Sequence, residues 1–209
     1  GWVDEDFRKR MEDAVADLHA QDVRVIGCAP QAVPMPCAMV DNTAVGIQAF
    51  HVLHDLGHTH FAILGGEADN ISNQRRIAGF TGEATKNNCT WVESNGEFSW
   101  QHGHDALAAL LEKDPAITAI YATNDHIAVG ALRYLEENGR QVPDEFSVLG
   151  TGDITVAPYT FPAMSTFRLP FAELGAAAVK MIFDPGLTET TVIPFTSEYV
   201  PRESVGPRR

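Results

Sequence analysis

Residues 117–135, ITAIYATNDHIAVGALRYL, decide the fold. Ile117, Ala119, Ile120 and Tyr121 read as a buried strand, and Asn124-Asp125 as a two-residue polar turn. Ala128, Ala131, Leu132 and Leu135 then recur at i, i+3, i+4 and i+7, the spacing of one apolar helix face. Gly139 stands where a helix commonly ends in a left-handed residue, and Pro143 prevents resumption. A strand feeding a helix through a short turn is half of a βαβ unit. In open α/β sheets ligands sit beyond the carboxyl ends of the strands, where Asn124 and Asp125 fall. Asp125 itself reads mostly as a helix cap.

Working outward, the same rhythm repeats. Strand 61–64 is followed by Gly65-Gly66 and a helix over about 73–86. Strand 90–93 leads through Phe98 to a helix carrying Ala106, Leu107, Leu110 and Leu111, and strand 146–150 follows the central helix. Strand starts about thirty residues apart, each pair bridged by a helix, predict a parallel, doubly wound sheet. Before it, Asp41 or Asn42 would cap a helix with Val45, Ala49, Val52, Leu53 and Leu56 inward, closed by Gly57. At the start of the chain, a helix over 4–20 would turn Phe7, Met11, Ala14, Val15 and Leu18 to one side, with a strand over 23–28 and a Pro-rich link after it. Beyond Gly150, residues 151–165 read as loop, 171–183 as helix, 191–194 and 198–200 as strand, and PRESVGPRR as a polar tail.

Composition limits the function. The 209 residues carry 44% hydrophobic and 21% charged residues and a net charge of −13. The densest basic run, Arg8-Lys9-Arg10, is ringed by Asp4, Glu5, Asp6, Glu12 and Asp13, so the chain lacks the clustered cations that neutralise phosphates and is not expected to bind DNA by itself. Cys28, Cys37 and Cys89 are odd in number and form no CxxC, which fits a reducing cytosol. No stretch reaches membrane-span length, and the N-terminus has no apolar signal region. The catalytic fingerprints fail: Gly150-Thr151-Gly152 begins a GxGxxG, but Thr155 holds its third glycine position and loop follows. No GxSxG elbow or P-loop occurs. His51, His54 and His58 share a helical stripe, with His102 and His104 in a second cluster. They read as solvated side chains, with no cofactor or metal expected, and His58 as a structural residue at a helix end.

Val40-Asp41-Asn42, Leu56-Gly57-His58, Leu64-Gly65-Gly66, Arg76-Ile77-Ala78-Gly79-Phe80, Thr123-Asn124-Asp125, Ala128-Val129-Gly130-Ala131-Leu132, Val142-Pro143, Ser147-Val148-Leu149-Gly150 and Val200-Pro201-Arg202-Glu203-Ser204 follow in order. Together they resemble the effector-binding domain of the LacI/GalR family of bacterial transcription regulators, over nearly the whole chain. The resemblance implies a periplasmic-binding-protein-like fold of two α/β lobes around a small molecule, usually a sugar or nucleoside. It assigns residues 41–164 and 185–209 to a complete C-terminal lobe, and 1–40 and 165–184 to a partial N-terminal lobe. The first three strands of that lobe and the helix-turn-helix head are expected to be missing, so operator DNA would be reached only through the absent head.

The resemblance also places the effector. Arg76 matches an arginine that contacts it, and a guanidinium fork can hold two hydroxyls. Asn124 matches a ligand residue able to donate and accept. Phe98 matches a position where an aromatic ring stacks on the ligand. Ser72 joins the expected set, and Asp153 stands beside Gly152, where the family usually has an effector-binding Asp. A site arginine of this kind would contribute little to the core. Ile127, Tyr134, Tyr159 and Phe161 are expected at a homodimer interface, since apolar groups off the core stripe mark partner surfaces. The implied function is a cytoplasmic sensing domain, not an enzyme. It would couple a sugar-like effector to operator affinity through lobe closure. A periplasmic sugar-binding protein, sharing the fold, is the alternative.

Overall fold

The computed structural model describes residues 5–209. In chain order the elements are α1 (Glu5–Ala20), β1 (Cys37–Val40), α2 (Asn42–His54), β2 (His60–Gly65), α3 (Ile71–Lys86), β3 (Thr90–Asn95), α4 (Trp100–Lys113), β4 (Ala119–Ala122), α5 (Asp125–Glu137), β5 (Ser147–Gly152), β6 (Ser165–Arg168), α6 (Phe171–Ile182), β7 (Val192–Phe195) and β8 (Glu198–Val200). Six strands form one sheet in the order β3-β2-β4-β5-β6-β8, all parallel except β8 at the edge. A parallel pair, β1-β7, stands apart from it.

Two-residue alternation along the strands explains how one sheet feeds two cores. Phe61 and Ile63 of β2, Ala119 and Tyr121 of β4 and Leu149 of β5 meet α2 and α3 on one face. Ala62, Leu64, Ile120, Ala122 and Val148 meet α4 and α5 on the other. A sheet covered on both faces reads as continuous apolar runs, which is the appearance of β2 and β4. β1 and α6 extend the first core through Ala38, Val40, Leu174, Ala178 and Met181. The helices on each face are locked by close glycine contacts. A Cβ on Gly79 of α3 would lie 2.2 Å from the Thr43 carbonyl oxygen, and one on Gly46 of α2 2.0 Å from that of Arg76.

The sequence reading and the structure part company in several places. Residues 23–28 form no strand; only Gly27 bridges to Cys37, and Arg24 is tied instead through its side chain to the carbonyls of Ile182 and Asp184. Helix α1 forms, but Phe7, Met11 and Val15 are only half covered, while Ala14 and Leu18 are exposed; residue 4, where that helix was expected to begin, lies outside the described residues. Within 151–165 and just beyond, β6 is a strand hidden by polar letters: Ser165 and Thr166 are fully buried with their hydroxyls bonded. The expected lobe division gave 165–184 to the smaller lobe, yet β6 pairs with β5 in the main sheet. It gave 185–209 to the larger one, yet β7 pairs with β1. The C-terminal stretch is no loose tail. Ser204 is fully buried; its carbonyl accepts from Val148 N, and its hydroxyl donates to Val148 O and accepts from Ser165 N.

Candidate functional site

The cleft that meets the carboxyl ends of the strands has a volume of about 210 Å³. Asn42 at the start of α2, Ser72 and Arg76 of α3, Asn124 before α5, and Thr151 and Gly152 at the end of β5 form one side. Cys28, Ala29, Pro30, Leu169, Phe171 and Leu174 add an apolar part of the lining. A larger hollow of about 400 Å³ lies between α4 and α5, lined by Trp100, His104, Arg133 and Glu137, but no strand end reaches it. Topology therefore favours the smaller cleft as the ligand site.

Arg76 is 8% exposed. Its Nε donates to Asn42 Oδ1 at 2.8 Å and its Nη1 to the Thr123 carbonyl at 2.6 Å. Burial depresses its pKa, opposed by the charge of Asp125 and the nearby Tyr121. No carboxylate hydrogen-bonds it, and Nη2 has no acceptor among the described residues. Arg76 thus joins α3 to α2 and to the end of β4, so the expectation that it contributes little to the core does not hold. Its neighbour Asn73 holds α3 against the sheet: Oδ1 accepts from Gly66 N and the Thr123 hydroxyl, and Nδ2 donates to Gly66 O.

At the central turn the helix cap falls on Asn124 and not on Asp125. Asn124 is the N-cap of α5, its Oδ1 accepting from His126 N at 2.8 Å, and it is among the residues that line the cleft. Asp125 is not the cap. It is fully buried, with Oδ1 accepting from the Thr166 hydroxyl at 2.6 Å and Oδ2 from Ile154 N at 2.9 Å. Burial raises its pKa against those two hydrogen bonds. Gly150 leaves it room, since a Cβ there would lie 2.2 Å from Asp125 Oδ1.

Ser72 lines the cleft, its hydroxyl 3.4 Å from Asn42 Nδ2. Two other expected residues are placed elsewhere. Phe98 packs its ring over Gly66 and against the α4–α5 core, outside the cleft lining. Asp153, at φ +54°, turns its carboxylate to Arg202 Nη2 (2.6 Å) and Arg168 Nε (2.7 Å). Although burial pushes the Asp153 carboxyl up, those two arginines bring its pKa down overall. Gly152, not Asp153, meets the cleft. Of the expected interface residues, Ile127 is fully buried in the α4–α5 core and offers no surface, because α5 packs inward more broadly than one stripe. Tyr134 is half-buried, whereas Tyr159 and Phe161 are 75% and 87% exposed.

The histidines have separate partners. His51 faces Glu83, His54 stacks on Phe50, and His102 Nε2 meets Gly65 O. His58 bridges Thr118, Ser147 and the Gly206 carbonyl at the amino end of the sheet. Sequence reasoning missed Asn42, Cys28, Leu169, Phe171 and Leu174 as cleft residues. Asn42 carried a usable signal, sitting beside the capping Asp41 just past a strand end. The apolar wall carried none, because it forms only when 28–30 and α6 fold across the strand ends.

Residues 50–205 match the family model for a periplasmic binding protein-like domain. The transcriptional regulator AscG of Escherichia coli is 30% identical over 165 residues, covering 78% of this chain and 49% of that protein. The regulator CelR of Thermobifida fusca is 30% identical over 173 residues, covering 80% and 51%. The chain spans about half the length of the curated relatives it matches. Among solved structures, a LacI family regulator from Enterococcus faecium with bound ribose superposes with a TM-score of 0.82 at 27% identity, covering 94% of this chain and 76% of that one. A CelR–cellobiose complex superposes equally well, at 0.82 and 27%, covering 90% and 60%. The chain belongs to the periplasmic binding protein-like domain family, as the effector-binding domain of a LacI-family transcription regulator.

Proposed function

We propose that this domain senses a small hydroxylated molecule for a cytoplasmic, dimeric regulator and performs no catalysis. The observation that carries the reading is Arg76, a buried guanidinium whose Nη2 edge has no acceptor among the described residues and which lines a cleft at the strand ends. Asn42, Asn124 and Ser72 beside it supply neutral donors and acceptors, and the wall of Pro30, Leu169 and Phe171 suits the apolar face of a ring. The relatives named above are regulators, and two structural neighbours hold ribose and cellobiose. Binding that bridges β1 and α6 to the main sheet would favour one closure of the cleft. Operator affinity and effector affinity would then be coupled reciprocally through a DNA-binding head on the whole protein. No described helix is long and apolar enough to cross a membrane. The exposed Tyr159 and Phe161, with the α4–α5 hollow, would provide the surface for a second copy.

The test is a thermal-shift screen of the full chain against monosaccharides and disaccharides. A ligand at a hundred times its Kd adds about 2.7 kcal/mol, or about 5–10 °C for a domain of this size. An Arg76→Lys variant that melts cooperatively should lose most of the response, since an ammonium cannot reproduce the fork. The reading fails if no sugar shifts the melting temperature, or if that variant responds as the wild type does.

A further inference from the structure

Both ring nitrogens of His104 face carboxylate oxygens. Nδ1 lies 2.9 Å from Asp105 Oδ1 on its own helix, α4, and Nε2 lies 3.1 Å from Oε2 of Glu137, the last residue of α5. A neutral imidazole has one N–H, so one of these contacts would set a lone pair against a carboxylate oxygen. Only the imidazolium, with two donors, satisfies both. The other oxygen of each carboxylate is already occupied: Asp105 Oδ2 accepts from Gln101 Nε2 at 2.8 Å, and Glu137 Oε1 from Arg133 Nε at 2.7 Å.

The two helices otherwise meet backbone to backbone. A Cβ on Gly103 would lie 2.0 Å from the Ile127 carbonyl oxygen, and one on Gly130 2.0 Å from that of Trp100. His104 reaches past this crossing to Glu137, along the hollow of about 400 Å³ that both residues line. Among the described residues this is the one side-chain hydrogen bond between α4 and α5. The remaining neighbours of the ring are on α5. Tyr134 meets it edge-on with centroids 5.4 Å apart, and Arg133 is shared between Glu137 and Glu136. Asp105 first and Glu137 second hold the imidazole pKa above its ordinary value. His104 is in turn the main cause of the depressed pKa of Glu137, and acts on Asp105 after Gln101.

We propose that His104 is a pH-operated latch on the hollow between α4 and α5: as an imidazolium it ties Glu137 down, and on losing its proton it lets Glu137 go. Deprotonation also removes one positive charge from a lining that otherwise holds Arg133 and Glu137. Resting on the dimeric reading, the charged latch is the form that accepts a second copy, because that copy carries a net charge of −13 and is drawn to the extra positive charge. The contribution of His104 is present below about 6.5 and lost as pH rises through its higher folded value. Those of Asp105 and Glu137 are present above about 4 and lost as pH falls through their depressed values. The latch is therefore shut in mild acid and opens as pH rises through the folded value of His104.

Two measurements on the full chain decide the matter. Proton NMR follows the His104 ring, identified by its loss in His104→Gln. Its midpoint should lie above about 6.5 and fall back toward that value when Asp105→Asn and Glu137→Gln are combined. A wild-type midpoint at or below about 6.5, or one that the double variant leaves in place, overturns the latch. Sedimentation equilibrium at about pH 6 and about pH 8.5 follows association. The dimer should be at least about threefold weaker at the higher pH, and His104→Gln should flatten the difference. A wild-type dimer of equal strength at both pH values, or a difference that survives in His104→Gln, overturns the link to the second copy and leaves the dimeric reading standing. A monomer at both pH values overturns the dimeric reading and the link together, while the NMR midpoint still decides the latch.

Discussion

Replacing Asp125 with Ala tests whether that residue fastens the end of β5 to β6. The wild-type carboxylate accepts from the Thr166 hydroxyl at 2.6 Å and from Ile154 N at 2.9 Å while fully buried. Each hydrogen bond to a charged group contributes about 1.5–3 kcal/mol, and leaving a buried donor unmet costs about 1–3 kcal/mol. Against this stands the cost of burying the carboxylate, expressed in its raised pKa. The net loss should be about 2–4 kcal/mol, lowering the melting temperature by about 4–16 °C. The pH dependence has a definite sign. Because the folded pKa lies above the unfolded one, the native state holds the proton longer, and this group's contribution falls as pH rises through that interval. The loss in Asp125→Ala should therefore be greater in mild acid than at neutral pH. Asp125→Asn, which keeps one acceptor but turns an N–H toward a donor, should fall between the two. Urea unfolding at several pH values measures all three proteins. An Ala variant within about 0.5 kcal/mol of wild type, the range of an inconsequential surface change, would refute the reasoning.

Arg76→Ala should destabilise the unliganded domain by about 2–4 kcal/mol, because Asn42 Oδ1 and the Thr123 carbonyl lose a charged donor; denaturant midpoints measure it, and an unchanged midpoint would restore the view of Arg76 as a peripheral residue. Burial depresses the pKa of His58 below about 6.5, against the Gly206 carbonyl, so its contribution is present above about 6.5 and lost as pH falls through the folded value. The non-titrating His58→Gln should show a flatter stability curve between about pH 7 and about pH 5. Cys28 is exposed in the cleft, whereas Cys37 and Cys89 are buried with thiol pKa values raised by burial. Iodoacetamide should label Cys28 first, and a saturating effector should slow it about tenfold; mass spectrometry showing no protection would place the ligand elsewhere.

What could be read in the letters was whatever repeats with a period. The apolar runs at 61–64 and 117–121 and the helical spacing of 128–135 express burial directly, so the doubly wound sheet followed from them. β6 was invisible for a physical reason. Its Ser165 and Thr166 are polar by letter but buried, their hydroxyls consumed by Arg202 N and Asp125. The same partnership hid the function of Asp125, because a residue at a helix start looks like a cap until its acceptors are traced to another strand. Arg76 and Asn124 could be singled out since each sits at a strand-to-helix junction. Phe98 shared that signal, but its ring covers Gly66. Side-chain direction after a junction is set by tertiary packing, which spacing alone does not express.

The seam made by residues 202–206 has a consequence for how the domain folds. Strands β2 to β5 can pair as they emerge, but Val148 and Ser165 wait for Ser204, and His58 and Ser147 wait for Gly206. Arg202 must also arrive before Asp153 gains its second cation. A chain interrupted before Arg202 would carry these polar groups unmet in its interior, and quality-control proteases cleave such opened states preferentially. Residues 202–206 thus close the interior of the domain: removing them should lower the melting temperature and speed proteolysis of the folded chain, measured by limited digestion.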